Sequence, residues 1–176
     1  MGSMADRTIH YEAAFEDYLR AKGWPYVAVD EAKKAIFAGI SLKSFDFLVY
    51  SSSGPNLLVD VKGRKFANSP TSRKATKTRL WENWITRQDI EGLQQWQNVF
   101  GSDFISMLVF AYWLQGPPQR SPFADVHFFR GKHYAFVAIR LSDYVAAANP
   151  RSAKWQTVTV PSAVFAKAAC DIAGFL

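Results

Sequence analysis

The fold is decided by residues 45–62, which run FDFLVY, then SSSGPN, then LLVDVK. The first and third segments are dominated by β-branched, aromatic and aliphatic residues, which favour strands. The serine, glycine, proline and asparagine residues between them are typical of a turn. The pattern therefore predicts a β-hairpin.

Two charged residues, Asp60 and Lys62, lie on the second strand of this hairpin. Side chains two apart on a strand share a face, so Asp60 and Lys62 point the same way, while Leu57, Val59 and Val61 point into a core. An acid and a base side by side at a strand end are costly unless they serve a purpose.

Asp46 lies on the neighbouring strand and can join Asp60 and Lys62. Two carboxylates and a lysine then converge, which is how a Mg²⁺-dependent phosphodiesterase site is built.

Length and composition predict a single globular domain. The chain has 176 residues, of which 49% are hydrophobic and 15% aromatic, so it can bury a proper core. The leading Met1-Gly2-Ser3 resembles an expression scar before a native start at Met4. We therefore take the domain as residues 5–176.

Cysteine usage and hydropathy indicate a cytoplasmic protein. The single cysteine, Cys170, excludes an internal disulfide framework and a cysteine-rich zinc site, and it fits a reducing compartment. No signal peptide is visible. The longest apolar run, Phe104–Leu114, is too short to span a bilayer and predicts a buried strand.

Basic residues cluster directly after the hairpin. Lys and Arg number 21 against 15 acids, a net charge of +6, and no acid occurs between residues 61 and 81. Such a cluster favours a polyanion, most simply nucleic acid, although a solvated loop kept soluble by charge is the alternative. The cluster comprises Arg64, Lys65, Arg73, Lys74, Lys77 and Arg79.

Helices and strands alternate along the rest of the chain, which indicates a mixed α/β fold. Residues 30–44 are ambiguous, with a short helical turn conceivable at 31–35. Elsewhere the pattern predicts helices over 8–22 (capped by Thr8), 86–100 (capped by Thr86), 142–148 and 161–169, and strands over 24–29, 104–114, 126–130, 134–140 and 157–160.

The layout from Glu12 to Leu114 resembles the PD-(D/E)XK nucleases, which share the restriction-endonuclease-like fold. Asp46 precedes Asp60-Val61-Lys62 across one hairpin, as the D-X(n)-(D/E)-X-K pattern requires. A helix and an apolar strand follow, as in the common core of that fold. The first helix, from His10-Tyr11-Glu12 to Gly23, is similar to that of archaeal Holliday-junction resolvases, which have a metal-site glutamate there.

The resemblance implies a role for each residue. Asp46 and Asp60 would bind Mg²⁺ or Mn²⁺, and Glu12 would reach the ion directly or through water. Lys62 would position or deprotonate the attacking water, and Gln88 would orient water or phosphate, in competition with Gln94, Gln95 and Gln97. Arg64, Lys65, Arg73, Lys74 and Lys77 would contact the nucleic acid.

The family also implies the function and the architecture. We expect a metal-dependent nuclease acting on DNA, with a core over about 8–114 and a C-terminal extension of hairpin and helices over 115–176. A partner or a homodimer would supply specificity. The alternative is a non-catalytic domain of the same fold that binds nucleic acid or protein.

Several assignments have a simpler alternative. Asp60 and Lys62 also fit an exposed ion pair, and Glu16 competes with Glu12. Asp30 is more typical of a turn than of a metal site. Trp81 and Trp84 fit either core packing or stacking on bases.

Overall fold

A computed structural model describes residues 4–29, 36–37, 40–41, 43–68 and 81–176. Four α-helices lie in these ranges: α1 (Met4–Lys22), α2 (Arg87–Phe100), α3 (Leu141–Ala147) and α4 (Ser162–Ala168). The strands are β1 (Tyr26–Ala28), β2 (Ile36–Phe37), β3 (Ile40–Ser41), β4 (Phe47–Val49), β5 (Asn56–Phe66), β6 (Ile85–Thr86), β7 (Phe104–Leu114), β8 (His127–Phe129), β9 (Lys132–Arg140), β10 (Asn149–Ser152), β11 (Thr157–Thr159) and β12 (Cys170–Asp171).

The central sheet is mixed, as predicted. Its strand order is β1-β4-β5-β7-β9-β12, and β8 pairs with β9. The two long strands β5 and β7 run parallel, from Asn56 opposite Phe104 to Phe66 opposite Leu114. The other pairs are antiparallel.

The predicted hairpin is present and positions the acidic residues. Strands β4 and β5 pair antiparallel, with Phe47 opposite Val59 and Val49 opposite Leu57. Strand β5 continues beyond the predicted end at Lys62 to Phe66, because β7 pairs with it along its full length.

Helices cover both faces of the sheet. Leu57, Val59 and Val61 pack under α1 in one apolar cluster, as the alternation predicted. Leu58 belongs to a second cluster on the opposite face, with Leu93 of α2. On this face of β5, Leu58, Asp60 and Lys62 therefore lie between the sheet and α2, rather than facing open solvent.

The C-terminal segment completes the sheet. The predicted hairpin is formed by β8 and β9, and β9 pairs with β7 from Met107 opposite Arg140 to Trp113 opposite Tyr134. A second sheet of order β10-β11-β6, not predicted from sequence, joins this segment to the start of α2. Residues 115–176 thus contribute strands to both sheets.

The start of the first helix differs from the sequence expectation. Helix α1 begins at Met4, so Thr8 lies inside the helix, and its prediction as the N-cap was wrong. Asp30 and the ambiguous turn at 31–35 lie outside the described residues. No helix in the described ranges is long and apolar enough to cross a membrane.

Candidate active site

Asp46 extends the β4–β5 ladder with its side chain. Its backbone N–H donates to the Val59 carbonyl at 2.9 Å, and its carboxylate Oδ2 accepts from the Val61 N–H at 2.6 Å. The carboxylate thus accepts the N–H that a backbone carbonyl would accept if the β4–β5 ladder continued. The side chain is buried, with 6% of its residue surface exposed.

Asp60 and Lys62 share one face of β5, as predicted, and form an ion pair. Lys62 Nζ lies 2.8 Å from Asp60 Oδ2. Asp60 is 5% exposed and Lys62 is half-buried, so the interpretation as an exposed surface pair is wrong. A partly buried pair of this kind is costly to desolvate and needs further partners.

Asp89 supplies the further partner of Lys62. Its Oδ1 lies 3.1 Å from Lys62 Nζ and also pairs with Lys43. Its Oδ2 accepts from the backbone N–H and the hydroxyl of Thr86, both at 2.8 Å. The predicted N-cap at Thr86 is therefore confirmed, and it forms a capping box with Asp89 that fixes this carboxylate against Lys62.

Sequence reasoning missed Asp89. It assigned the site role on this helix turn to Gln88, which is exposed; its role stays a prediction. The signal available was the spacing Thr86-x-x-Asp89, which is that of a capping box. Helix geometry then turns Asp89 toward β5 and Gln88 toward solvent.

Negative charge is concentrated at Asp46. Burial raises the pKa of the Asp46 carboxyl well above its usual value, and the charges of Asp60 and Glu12 raise it further. The Val61 N–H and Lys62 oppose this effect only in part. The three predicted carboxylates therefore interact electrostatically across the hairpin and α1.

Glu12 and Glu16 have different surroundings on α1. Glu12 is half-buried and acts on Asp46 through its charge. Glu16 bonds to Tyr26 and pairs with Arg20 at 2.9 Å on the helix surface. Of the two alternatives, only Glu12 is thereby connected to Asp46.

The donor set suits a hard cation, but no group of three or more His, Cys, Asp or Glu side chains in the described ranges is arranged to hold a metal ion. Carboxylate oxygens are what Mg²⁺ prefers, and this ion keeps several waters, so few protein ligands suffice. A cation beside Asp46 and Asp60 would offset the repulsion that raises the pKa of Asp46.

A cleft of about 490 Å³ opens beside Lys62. Its wall includes Lys62, Asp89, Trp84 and Tyr11. The Tyr11 ring lies directly on Gly63, where a Cβ would come within 2.1 Å of the ring. Only glycine permits this contact, which places the first helix at the edge of the cleft.

The predicted basic residues fall into different environments. The Arg64 guanidinium is largely enclosed: it lies 4.2 Å from the Trp84 ring centroid and donates to the Gly63 and Trp84 carbonyls. Lys65 is exposed, with its ammonium 5.3 Å from the Trp113 ring. Arg73, Lys74 and Lys77 lie outside the described residues.

No protein-family model and no curated protein matches the chain. Among solved structures, it is similar to Archaeoglobus fulgidus Hjc, a Holliday junction resolvase from an archaeal hyperthermophile. The TM-score is 0.53 at 15% identity, over 95% of this chain and 98% of that one.

This likeness establishes the fold. The chain has a restriction-endonuclease-like fold, a mixed sheet flanked by helices, as the sequence resemblance predicted. Because 95% of the chain is covered, the likeness extends past Leu114, where the sequence resemblance ended.

Proposed function

We propose that the protein is a metal-dependent nuclease that hydrolyses phosphodiester bonds of DNA. The observation that carries the proposal is the grouping of Asp46, Asp60 and Lys62 beside an open cleft. Glu12 acts on Asp46 through its charge. The fold shared with a Holliday junction resolvase supports it.

Asp46, Asp60 and Glu12 are the residues that would hold Mg²⁺ or Mn²⁺. The ion would supply positive charge next to the scissile phosphate and activate water for attack. Asp46 is well suited to this role because the Val61 N–H holds one of its oxygens in place. Preorganised ligands cost no rearrangement when the substrate arrives.

Lys62 would stabilise charge that develops on the phosphate. Its ammonium lies between Asp60 and Asp89 and lines the cleft, so it is both oriented and accessible. It would direct the attacking water or neutralise the phosphate oxygens in the transition state. Asp89 would act as a positioning residue, because it contacts Lys62 and is itself held by Thr86.

The proposal extends to the contacts with nucleic acid, the location and the assembly of the protein. Exposed Lys65 is placed to contact phosphate, whereas Arg64 is engaged with the protein's own carbonyls. A cytoplasmic location and a homodimer that supplies specificity belong to the same proposal.

The alternative is a non-catalytic domain of the same fold that binds nucleic acid or protein. Two observations favour it: Asp60 and Lys62 already neutralise each other at 2.8 Å, and the described residues hold no preformed metal cluster. An inert ion pair needs no metal.

Cleavage of DNA distinguishes the two functions. We expect the purified protein to cleave at least one member of a panel of labelled single-stranded, duplex, flapped and four-way-junction DNAs with Mg²⁺ or Mn²⁺, and to stop in chelator. Asp60→Ala should abolish cleavage with the fold intact, and Lys62→Ala should slow it by roughly 10²- to 10⁴-fold. Cleavage that continues in chelator, or survives Asp60→Ala, contradicts the metal mechanism.

A further inference from the structure

A second cleft adjoins the candidate active site. It has a volume of about 640 Å³, within the usual range for ligand pockets. Lys65, Glu82 and Trp84 line both this cleft and the one beside Lys62. The far wall comes from the β10–β11 side of the molecule, including Arg151. The two clefts therefore adjoin at these three residues.

Trp84 forms a rigid aromatic surface between the two clefts. Its indole Nε1 donates to Glu82 Oε1 at 2.9 Å. The Arg64 guanidinium, fixed by bonds to two backbone carbonyls, lies 4.2 Å from its ring centroid. The exposed Arg151 guanidinium also lies over this ring, 5.2 Å from its centroid, so a base stacked on Trp84 would displace Arg151 and leave Arg64 in place. An indole fixed in this way loses little entropy when it contacts a ligand.

The other tryptophan of this cleft has a different role. The Trp81 ring makes edge contacts with Phe66, Tyr112 and Phe123 and packs against the main apolar cluster. From the sequence alone, both Trp81 and Trp84 fitted either core packing or stacking on bases. The contacts assign Trp81 to core packing and leave Trp84 as the stacking surface.

The chemistry of the second cleft suits a nucleotide. An aromatic face stacks on any base, and the guanidinium of Arg151 and the ammonium of Lys65 suit the adjoining phosphates. Glu82 is the acid in the lining, and its bond to Trp84 gives it a positioning role.

The side-chain amide of Asn83, which lines this cleft, is not available to read the edge of a base. The Asn83 amide is already bonded to the Trp81 and Val160 carbonyls, and its oxygen accepts from Thr159 and from the Val160 N–H. Discrimination between bases requires hydrogen bonds to their edges. Stacking alone tolerates every base, so we expect little sequence preference.

We propose that this second cleft binds one unpaired nucleotide, stacked on Trp84, next to the phosphate that Lys62 would contact. The inference deepens and rests on the proposed nuclease function. A base within a duplex is covered by its neighbours, and extracting it costs free energy, whereas an unpaired base is accessible. The substrate class is accordingly DNA with an unpaired nucleotide beside the cleavage point.

A double-mutant cycle between protein and DNA tests this inference. The probes are a fluorescein-labelled blunt duplex, the same duplex with a single-stranded overhang, and the overhang duplex with abasic sites in the overhang. Binding is measured by anisotropy in chelator, so that no cleavage occurs. Wild type should prefer the overhang, and Trp84→Ala should lose roughly 5- to 150-fold of that binding, the equivalent of one stacked base.

The matched variants separate stacking from general damage. Trp84→Phe should retain most of the preference, because it keeps an aromatic face. Trp155→Ala removes a tryptophan that is 68% exposed and outside the cleft lining, so it should bind like wild type. Abasic sites should weaken wild type but leave Trp84→Ala unchanged. Thermal melts confirm that each variant is folded.

Two results would overturn the inference. One is an equal loss on blunt and overhang DNA in Trp84→Ala; the other is an abasic penalty of the same size in wild type and Trp84→Ala. The binding measurements do not depend on whether the protein cleaves DNA. A nuclease that cleaves with Mg²⁺ but shows no coupling at Trp84 loses only the stacking cleft, whereas coupling without cleavage supports the cleft and contradicts the proposed nuclease.

Discussion

The two faces of strand β5 differ although they come from the same residues in alternation. On the α1 face, Leu57, Val59 and Val61 are almost fully buried among apolar side chains. On the α2 face, Leu58 is followed by buried Asp60 and half-buried Lys62, and Lys62 pairs with both Asp60 and Asp89. One face is built for stability, and the other accepts the cost of buried charge.

The difference locates the candidate site on one face of the sheet. Burying a charge disfavours folding unless it is paired and hydrogen-bonded. The α1 face contributes apolar burial along the same strand, and this offsets the cost. Mutations on the two faces should therefore have opposite signatures, one on stability and the other on activity.

The largest effect on stability is expected on the apolar face. Leu57→Ala removes a side chain with no exposed surface and should destabilise the protein by about 2–5 kcal/mol. Each kcal/mol lowers the melting temperature by roughly 2–4 °C in a domain of this size. The folded fraction should keep its cleavage rate. Equal losses of activity per folded molecule in Leu57→Ala and Asp60→Ala would remove the distinction between the faces.

A smaller effect is expected where α2 contacts the charged face. Asp89→Asn removes the carboxylate that Lys62 contacts and weakens the capping box, at a cost of about 1 kcal/mol. The exposed neighbour Gln88 is the control for stability: Gln88→Ala should stay within about 0.5 kcal/mol of wild type in denaturant melts. Cleavage by the two variants then identifies which residue serves the site, and a greater loss in Gln88→Ala would favour the sequence prediction.

The smallest effect is expected at the exposed end of the strand. Lys65→Ala should remove one phosphate contact, lowering the slope of log Kd against log salt by about 0.9 on duplex DNA. Lys154, exposed on the β10–β11 turn, provides a charge-matched control. If both variants keep the wild-type slope, the phosphate contacts lie elsewhere, with Arg73, Lys74 and Lys77 the remaining candidates.

Periodic patterns made the fold predictable from sequence. The alternation in residues 45–62 gave the hairpin, and the apolar run at 104–114 gave β7 with its observed bounds. Short strands such as β6 and β10 could not be found, because their pairing with β11 depends on long-range contacts that leave no local pattern.

The candidate site was predictable only in part. Asp46, Asp60 and Lys62 belong to one hairpin, so local rules place them together. Asp89 belongs to α2, a separate element that follows β5 later in the chain. It reaches Lys62 only because α2 packs on β5. Arg64 was predicted as a phosphate contact from its charge, but strand alternation turns it toward Trp84.

The apo protein carries a cost at Asp46 that a cation would remove. Its folded-state pKa is raised, so Asp46 disfavours folding fully above that pKa, and the cost declines as the pH falls from the folded-state pKa toward the lower pKa of the unfolded chain. Asp46→Asn should therefore be as stable as wild type or more stable near neutral pH. The asparagine oxygen can still accept from the Val61 N–H.

Thermal melts of wild type and Asp46→Asn, each with and without Mg²⁺, test the central claim most directly because they need no knowledge of the substrate. A bound ion should stabilise wild type by about 2.7 kcal/mol at a hundred times Kd, a rise of several degrees, and the response should shrink in Asp46→Asn. The titration must extend well above millimolar Mg²⁺. A wild type that shows no Mg²⁺ response over that range, or a response of equal size in Asp46→Asn, would contradict a metal site on this face of the strand.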